Sequence, residues 1–424
     1  MKIAIVGTGI SGLVSAYYLS RNHEVTVFES GSHVGGHTHT VAVEEDGQTR
    51  HVDTGFIVFN RKNYPAFNRI LEELGVRSQP SDMSFSVSAE NGRFEYNGTS
   101  LNRLFAQRTN LFRPGFYGMI RDIMRFGQDA RKFLESDETD SCSVADFLER
   151  HHYGSLFTSK YLGPLGAALW SCPSENFMQF PMRFVGEFLA NHFMLQVGGR
   201  PKWRVIEGGS FRYVEKMTRG FADRIRLNCG VESIRRDASG VLINHRKGTD
   251  RFDHVVVACH ADQALRLLAD PSPCETETLS CFPYQKNRVF LHTDSSVLPK
   301  RKLAWAAWNA KILDEPAKRE TSGGIAVSYN MNILQSLPGR TVYCVTLNEE
   351  QIIDPSKIIR RIDYHHPLFT VSRAEAREKQ NQLIDRNQTS FCGAYWGYGF
   401  HEDGVQSALR VVEQLLPARK RELA

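Results

Sequence analysis

The sequence predicts an α/β fold in which a parallel sheet carries a nucleotide-binding turn close to the amino terminus. Residues 2–6 form a short run that is apolar after its lysine, as expected of a buried strand. Gly7, Gly9 and Gly12 follow in the spacing G-x-G-x-x-G, and apolar residues then recur at helical spacing. A second strand pattern ends in an acid, Glu29. Strand, turn, helix, strand and acid in this order indicate a dinucleotide-binding unit.

Each residue of this unit has a mechanical role. Gly7 allows the tight turn, Gly9 lets the backbone approach a pyrophosphate, and Gly12 lets the helix pack on the strand. The helix start offers N–H groups and a positive dipole end to the phosphates. Glu29 can accept hydrogen bonds from ribose hydroxyls, and its charge disfavours a 2′-phosphate, so NADP is not the predicted ligand.

The composition is that of an ordinary globular protein. Hydrophobic residues make up 41% and charged residues 23% of the 424-residue chain, which excludes broad disorder and favours two domains. The formal net charge of +5 is mild for this length, so no nucleic-acid partner is predicted.

The cysteines and histidines indicate a compartment but no metal. The eight cysteines are scattered with no C-x-x-C pair, which suits a reducing cytosol and indicates neither a zinc site nor a disulfide framework. No leader precedes the first strand and no apolar run reaches bilayer length, so a cytoplasmic protein is predicted. The paired histidines lack ligand spacing such as H-E-x-x-H, so no metal is predicted.

Further stretches carry a family resemblance. They share the glycine-rich loops and returning strand patterns of one known group, and they lie at Gly35-Gly36, 53–56, 208–214, 231–234, 252–258 and 391–404. Together they resemble the flavin-containing amine oxidase superfamily, with its relatives the phytoene desaturases and protoporphyrinogen oxidases. A bacterial subfamily of FAD-dependent oxidoreductases, often found beside cyclopropane-type fatty-acid modifying enzymes, is the most similar group.

The resemblance implies FAD as the cofactor and a Rossmann-type, glutathione-reductase-like FAD-binding domain of the amine oxidase type, with an inserted α+β substrate domain. It implies cofactor contacts from loop and strand residues that match the family pattern, namely Gly7, Gly9, Ser11, Gly12, Glu29, Gly35, Gly36, His37, Gly55, Val231, Gly393, Gly404 and Val405. An NAD-only dehydrogenase is the alternative, which the downstream segments disfavour.

The carboxy-terminal segment predicts a helix without reference to the family resemblance. An apolar stripe from Val405 to Leu416 predicts a helix with Glu402 and Asp403 at its amino end. Aimed at flavin N1 and O2, such a helix start would stabilise negative charge there. A terminal surface helix is the alternative interpretation.

The predicted cofactor domain is discontinuous. It comprises residues 1–80, 205–285 and 375–424, and the substrate domain comprises the two insertions, 81–204 and 286–374.

The first insertion is predicted to be helical. Phe180, Phe184 and Phe188 form an aromatic stripe that is typical of a core or, alternatively, of an apolar substrate tunnel. Residues 111–133 combine apolar and basic residues, as in a helix on an anionic membrane or in an ordinary helix with a solvated face.

The resemblance also implies three catalytic candidates. Lys286 opens a strand of the second insertion, where classical amine oxidases hold a water beside flavin N5. Trp396 and Tyr398 match the region that supplies an aromatic cage. An exposed lysine at a strand end and simple aromatic packing are the alternatives. Classical members have an arginine where His37 stands and an acid where Ala394 stands, so the resemblance does not carry over the arginine's pyrophosphate contact or the acid's ribityl hydrogen bond.

The function implied is that of an FAD-dependent oxidoreductase transferring a hydride from a substrate C–H bond to flavin N5. A lipid or fatty-acyl substrate is preferred, and a small amine or polyamine is the alternative. A second alternative is a non-redox flavoprotein that assists a fatty-acid-modifying methyltransferase partner. Peripheral membrane contact is the prediction that follows if residues 111–133 form a helix on an anionic membrane.

Overall fold

The amino-terminal strand, turn and helix form as the sequence predicts. The structure is a computed structural model that describes residues 1–136, 142–170, 172–196, 198–199, 201–314 and 324–416. The remaining residues, which belong to the predicted ranges 81–204, 286–374 and 375–424, lie outside the described part.

Many of the strands form where short apolar or alternating runs are bounded by turns. The described residues contain twenty strands: β1 Lys2–Val6, β2 Glu24–Phe28, β3 Thr40–Glu45, β4 Gln48–Asp53, β5 Val58–Asn60, β6 Ser78–Pro80, β7 Phe85–Ala89, β8 Phe94–Asn97, β9 Trp203–Ile206, β10 Ile225–Arg226, β11 Val231–Asp237, β12 Gly240–His245, β13 Gly248–Phe252, β14 His254–Val257, β15 Tyr284–His292, β16 Trp308–Ile312, β17 Ile325–Asn330, β18 Cys344–Leu347, β19 Ile358–Pro367 and β20 Thr389–Phe391.

Helices fill much of the first insertion and flank the parallel strands. Those described are α1 Ile10–Leu19, α2 Pro65–Glu73, α3 Leu101–Leu104, α4 Pro114–Glu135, α5 Val144–Arg150, α6 Ser155–Phe157, α7 Gly163–Trp170, α8 Ser174–Met178, α9 Met182–Asn191, α10 Phe211–Thr218, α11 Ala261–Leu267, α12 Pro273–Leu279, α13 Met331–Leu334, α14 Val371–Ala376 and α15 His401–Leu415.

A five-stranded parallel sheet forms the base of the molecule. Its order is β10-β2-β1-β14-β20, and Val6 of β1 pairs with Phe28 on one side and with Val257 on the other. The strands come from the beginning, the middle and the end of the chain. The predicted α/β fold with a parallel sheet is confirmed.

The first and last helices pack against each other on this sheet. Leu13 and Val14 of α1 share one core with Val405, Ala408 and Val412 of α15. The predicted carboxy-terminal helix is therefore present, and it is a core element with its start at His401.

A seven-stranded sheet forms the other large layer, in the order β19-β15-β18-β17-β16-β7-β8. Its pairs are antiparallel except for β16 with β7. Helices α4 to α9 build a separate core beside it, in which Phe180 and Phe188 are buried and Phe184 is partly buried. The aromatic stripe is thus part of a core, and one of its members, Phe188, also borders a cavity.

None of the helices in the described ranges combines the length and the apolar character needed to cross a bilayer.

Candidate functional site

The glycine turn is shaped by close backbone contacts. A Cβ on Gly12 would lie 2.0 Å from the carbonyl oxygen of Gly7, so only glycine lets α1 start this near the turn. A Cβ on Gly9 would meet no atom within 4 Å, because this residue borders an open cavity. No described side chain caps the start of α1, which leaves its first N–H groups available to a ligand.

Glu29 is held in place at the edge of the same cavity. Its Oε1 accepts the backbone N–H of Gly31 at 2.7 Å, and its Oε2 accepts that of Thr8 at 3.0 Å. The Thr8 hydroxyl donates to Glu29 and accepts the N–H of Gly35 at 3.2 Å. Thr8 therefore joins the two glycine loops. Sequence reasoning missed it because the variable positions of the fingerprint carry no signal.

The second glycine loop brings a histidine into the cavity. A Cβ on Gly36 would come within 3.0 Å of the Gly9 Cα, so the two loops touch. The following residue, His37, stacks on Tyr364 with ring centroids 4.8 Å apart. Burial lowers the pKa of His37 to about 4, and its buried Nε2 has no hydrogen-bond partner within the described residues.

The tail of the chain closes the site from the other side. The hydroxyl of Ser11 donates to the carbonyl oxygen of Gly404 at 2.9 Å, and the backbone N–H of Gly393 donates to the Ser407 hydroxyl at 2.7 Å. A Cβ on Gly404 would lie 2.7 Å from Ile10. The starts of α1 and α15 therefore converge on one point.

His401 at the start of α15 forms an aromatic wall. Its ring stacks on Phe56 with centroids 3.6 Å apart, and the Tyr213 hydroxyl lies 2.8 Å from its Nε2. Burial holds the pKa of His401 well below its usual range, so the ring is neutral at physiological pH.

One cavity of about 760 Å³ connects these loops to an apolar region. Besides the glycine loops it is lined by aliphatic and aromatic side chains from the helical insertion and from the seven-stranded sheet, among them Phe85, Leu165, Trp170, Phe188, Trp308 and Tyr329. The volume and the mixed lining are those of a small-molecule site.

Most of the predicted cofactor residues meet at this cavity. Those that line it are Gly7, Gly9, Ser11, Glu29, Gly36, His37, Gly55 and Gly393. Five others do not line it: Gly12, Gly35, Gly404 and Val405 lie in the layer directly behind the loops, and Val231 is half-buried at the start of β11.

The structure places Lys286 away from the cavity, contrary to its predicted role. Its side chain is 54% exposed and its Nζ lies 2.9 Å from a carboxylate oxygen of Asp363 on the neighbouring strand β19. Side chains alternate along β15, so the adjacent Asn287 points inward and is fully buried. The alternation in residues 284–292 was the signal that could have identified Asn287.

The two predicted aromatic candidates separate. Trp396 does not line the cavity, because its ring packs in the core against Phe282 and Tyr395, with centroids 5.2 Å and 5.0 Å away. Tyr398 does line it, and its hydroxyl donates to Glu187 at 3.0 Å. Of the two candidates, only Tyr398 lines the cavity.

Sequence reasoning also missed a group of histidines in the cavity. His260 stacks on Tyr284 with centroids 4.4 Å apart, and His366 lies 5.4 Å from the ring of His37. Burial, together with neighbouring histidines, lowers the pKa of both His260 and His366 to about 3. These rings are therefore neutral donors and acceptors.

The residues present fit FAD. The open cradle at Gly9, the uncapped start of α1 and the partnerless Nε2 of His37 offer room, N–H groups and an unsatisfied polar atom along one cavity. The start of α15 faces the same cavity with a second positive dipole end.

Comparisons with known proteins agree with this geometry. The family described as flavin containing amine oxidoreductase matches residues 10–365. No curated protein sequence matches the chain.

Solved structures share the fold over almost the whole chain. A putrescine oxidase with bound putrescine is 13% identical with a TM-score of 0.66, and the match covers 98% of this chain and 99% of that chain. A CLA-producing fatty acid isomerase from P. acnes is 15% identical with a TM-score of 0.66 and 98% of each chain covered. Cyclohexylamine oxidase from Brevibacterium oxydans is 16% identical with a TM-score of 0.66, covering 98% and 99%.

Proposed function

The chain belongs to the flavin-containing amine oxidoreductase family and is an FAD-dependent oxidoreductase, and from this premise we propose that its substrate is apolar, of the lipid or fatty-acyl class. When bound, FAD supplies at N5 the acceptor for a hydride that leaves a substrate C–H bond. The observation that carries the substrate class is the apolar lining that continues from the glycine loops into the substrate insertions.

The lining suits an acyl chain. Leu165 and Leu169 of α7, Phe188 of α9, Trp308 of β16 and Tyr329 of β17 all face the cavity. An apolar chain gains free energy by leaving water for such a surface, about 0.8 kcal/mol for each buried CH₂. The same side chains exclude water from the reacting region.

The carboxylates of the cavity argue against an ammonium substrate. Among the described residues that line the cavity, the acids are Glu29 and Asp82. Glu29 already accepts backbone N–H groups of Thr8 and Gly31, and Asp82 is exposed. A buried carboxylate free to bind a cation is therefore missing from the described lining.

We assign FAD binding and substrate binding to the two predicted domains. The parallel sheet draws its strands from 1–80, 205–285 and 375–424, which supports their assignment to FAD binding. The lining from α7, α9, β16 and β17 supports the assignment of 81–204 and 286–374 to substrate binding.

Two alternatives remain distinct in chemistry. An amine substrate is favoured by the structural likeness to putrescine oxidase and cyclohexylamine oxidase. A flavoprotein without net redox turnover, with a fatty-acid-modifying methyltransferase as its partner, is favoured by the likeness to a fatty acid isomerase.

Anaerobic titration of the purified holoprotein separates these functions. We expect unsaturated or cyclopropane fatty acids to bleach the flavin absorbance and simple amines to leave it unchanged. Bleaching by putrescine or cyclohexylamine alone would establish the amine function. Bound flavin that no candidate reduces, together with a rearranged fatty acid in the product, would establish the function without net redox turnover.

We propose further that the protein contacts an anionic membrane through a surface patch formed by Leu101, Leu111, Phe112 and Tyr117. Phe112 is 85% exposed and Leu101 76%, which is unusual for large apolar side chains. The Tyr117 hydroxyl donates to the carbonyl oxygen of Leu111 at 3.0 Å, and the Arg108 guanidinium donates to the carbonyl oxygen of Asn102 at 3.2 Å. These bonds join the segments that carry the four residues.

Charge complementarity supports an anionic partner for this patch. Arg108 is exposed at the start of the short helical segment that ends at Phe112. Arg121, one helical turn beyond Tyr117 on α4, has a side chain that is 81% exposed. Apolar side chains flanked by arginines suit the headgroup region of an anionic bilayer. Such a contact would bring the enzyme to lipid substrates.

A further inference from the structure

The buried residue Asn287 uses both halves of its side-chain amide. Its Oδ1 lies 2.7 Å from Nδ2 of Asn348, and its Nδ2 lies 2.7 Å from Nδ1 of His366. Asn287 therefore connects the end of β18 to a histidine that lines the cavity. The chain of contacts runs across the edge of the seven-stranded sheet, from β18 through β15 to β19.

The hydrogen bond from Arg288 decides which atom donates and which accepts in every other hydrogen bond of this series. The backbone N–H of Arg288 can only donate, and it donates to Oδ1 of Asn348 at 2.8 Å. Asn348 must then donate from Nδ2 to Oδ1 of Asn287. Asn287 in turn must donate from Nδ2 to Nδ1 of His366. A neutral imidazole that accepts at Nδ1 carries its proton on Nε2.

We infer that Asn348 and Asn287 are positioning residues that hold His366 as the Nε2–H tautomer and so give the cavity a fixed N–H donor. Within the described part of the chain, Nε2 of His366 has no hydrogen-bond partner. The donor is thus available to an acceptor atom of a molecule in the cavity. This inference rests on the proposed function of the cavity.

The environment keeps the donor neutral. Burial, together with His37, His260 and His365 nearby, lowers the pKa of His366 to about 3. A neutral N–H in a water-excluded cavity polarises an acceptor without requiring a proton from solvent. The acceptor belongs either to the flavin ring or to a carbonyl or carboxylate of the substrate.

Nitrogen-15 NMR of the histidine-labelled holoprotein tests the tautomer directly, because protonated and unprotonated ring nitrogens differ widely in chemical shift. His366→Phe identifies the His366 signals as those that disappear from the spectrum. We expect Nε2 of His366 to be protonated and Nδ1 to be unprotonated. A proton on Nδ1 in the unsubstituted protein would overturn the inference.

Asn348→Asp tests the chain at its far end. An ionised carboxylate accepts the Arg288 N–H but cannot donate, so the Asn287 amide should turn over and accept from His366. The His366 proton is then expected on Nδ1.

Asn287→Asp should place a proton on Nδ1 as well and is the second test if Asn348→Asp does not fold. Lys286→Met, on the outer side of the same strand, is the control and should leave the His366 signals unchanged. An unchanged tautomer in a folded Asn348→Asp protein would contradict the inference.

Two binding measurements identify the acceptor. If the flavin ring accepts the N–H, His366→Phe should weaken FAD binding about tenfold and shift the flavin absorbance. If the substrate accepts it, FAD binding should hold and the affinity for oleate, used as the carboxylate probe, should fall instead. If His366→Phe changed neither the affinity for FAD nor the affinity for oleate, the His366 N–H would not contact either molecule. The NMR result stands apart from substrate identity, so a failed fatty-acid assay leaves it interpretable.

Discussion

The hydroxyl of Ser11 donates a hydrogen bond of 2.9 Å to the carbonyl oxygen of Gly404, a residue 393 positions later in the sequence. Ser11 lies in the first turn of α1 and Gly404 in the first turn of α15. Both helices therefore begin at the same place and direct their positive dipole ends towards one cavity. A dinucleotide bound in this cavity would meet two helix starts, although the sequence separates them by nearly its whole length.

The two glycines of the turn should respond differently to the same methyl group. Gly12→Ala places a Cβ 2.0 Å from the Gly7 oxygen, so we expect a loss of about 1–3 kcal/mol in the free energy of unfolding. The Cβ of Gly9→Ala would meet no protein atom, and the φ of −60° at Gly9 is one that alanine adopts. The free energy of unfolding of this apoprotein should therefore stay within about 0.5 kcal/mol of the original value. Its methyl group instead occupies the cavity.

Urea denaturation of the apoproteins and FAD titration check this pair. Gly9→Ala should bind FAD at least tenfold more weakly, since its cost falls on the ligand. Normal FAD affinity of a folded Gly9→Ala protein would show that the pyrophosphate lies elsewhere.

The free energy of unfolding should depend on pH through His292. This residue is fully buried, its Nε2 lies 2.7 Å from the Thr346 hydroxyl, and burial lowers its pKa to about 4. The unfolded state, with a pKa near 6.5, binds the proton more tightly, so the stability from His292 is complete above pH 6.5 and is lost as the pH falls towards 4. We expect a loss of about 2 kcal/mol between pH 6.5 and pH 4.5 from this residue.

Urea denaturation at the two pH values, with His292→Gln and the exposed His152→Gln compared, isolates the contribution. The His292→Gln protein should show a smaller loss between pH 6.5 and pH 4.5, and His152→Gln should follow the unsubstituted protein. If all three proteins lost the same unfolding free energy between pH 6.5 and pH 4.5, the pKa of His292 would not be lowered in the folded protein.

The sequence predicts the fold well because its local signals agree with one another. Strand, turn and helix at the amino terminus, and the stripe of α15, each have the period of the element that forms. The match to the flavin-containing amine oxidoreductase family confirms the resemblance and FAD as the cofactor.

The catalytic candidates depend on details that local patterns do not fix. A shift of one residue along β15 exchanges the inner and outer faces, which places Lys286 outside and Asn287 inside. His366 gains its role only from β15 and β18, which are distant in sequence. No local signal indicates such a partner.

The surface patch predicts a salt-sensitive affinity for anionic vesicles. Phe112→Ser together with Leu101→Ser removes the most exposed apolar side chains, so co-sedimentation with vesicles of mixed zwitterionic and anionic lipid should fall several-fold. Ile359→Ser, at a position 39% exposed on β19, is the matched control and should bind like the original protein. Equal binding by the double variant would refute membrane contact through this patch.

Leu169→Trp should separate the substrate from the cofactor. Leu169 is half-buried and lines the apolar part of the cavity from α7, whereas Gly9 and Glu29 line the part built by the glycine loops. The larger indole fills space that an acyl chain would need, so anaerobic reduction by a long-chain fatty acid should fall at least tenfold while the FAD dissociation constant changes by less than about twofold. Leu303→Trp, at an exposed position that does not line the cavity, is the control for adding an indole and should leave both quantities unchanged. The contrary outcome has two parts: a small amine still reduces the flavin of Leu169→Trp, and no fatty acid reduces the flavin of the unsubstituted protein. Together these results would assign amine oxidation to the protein instead.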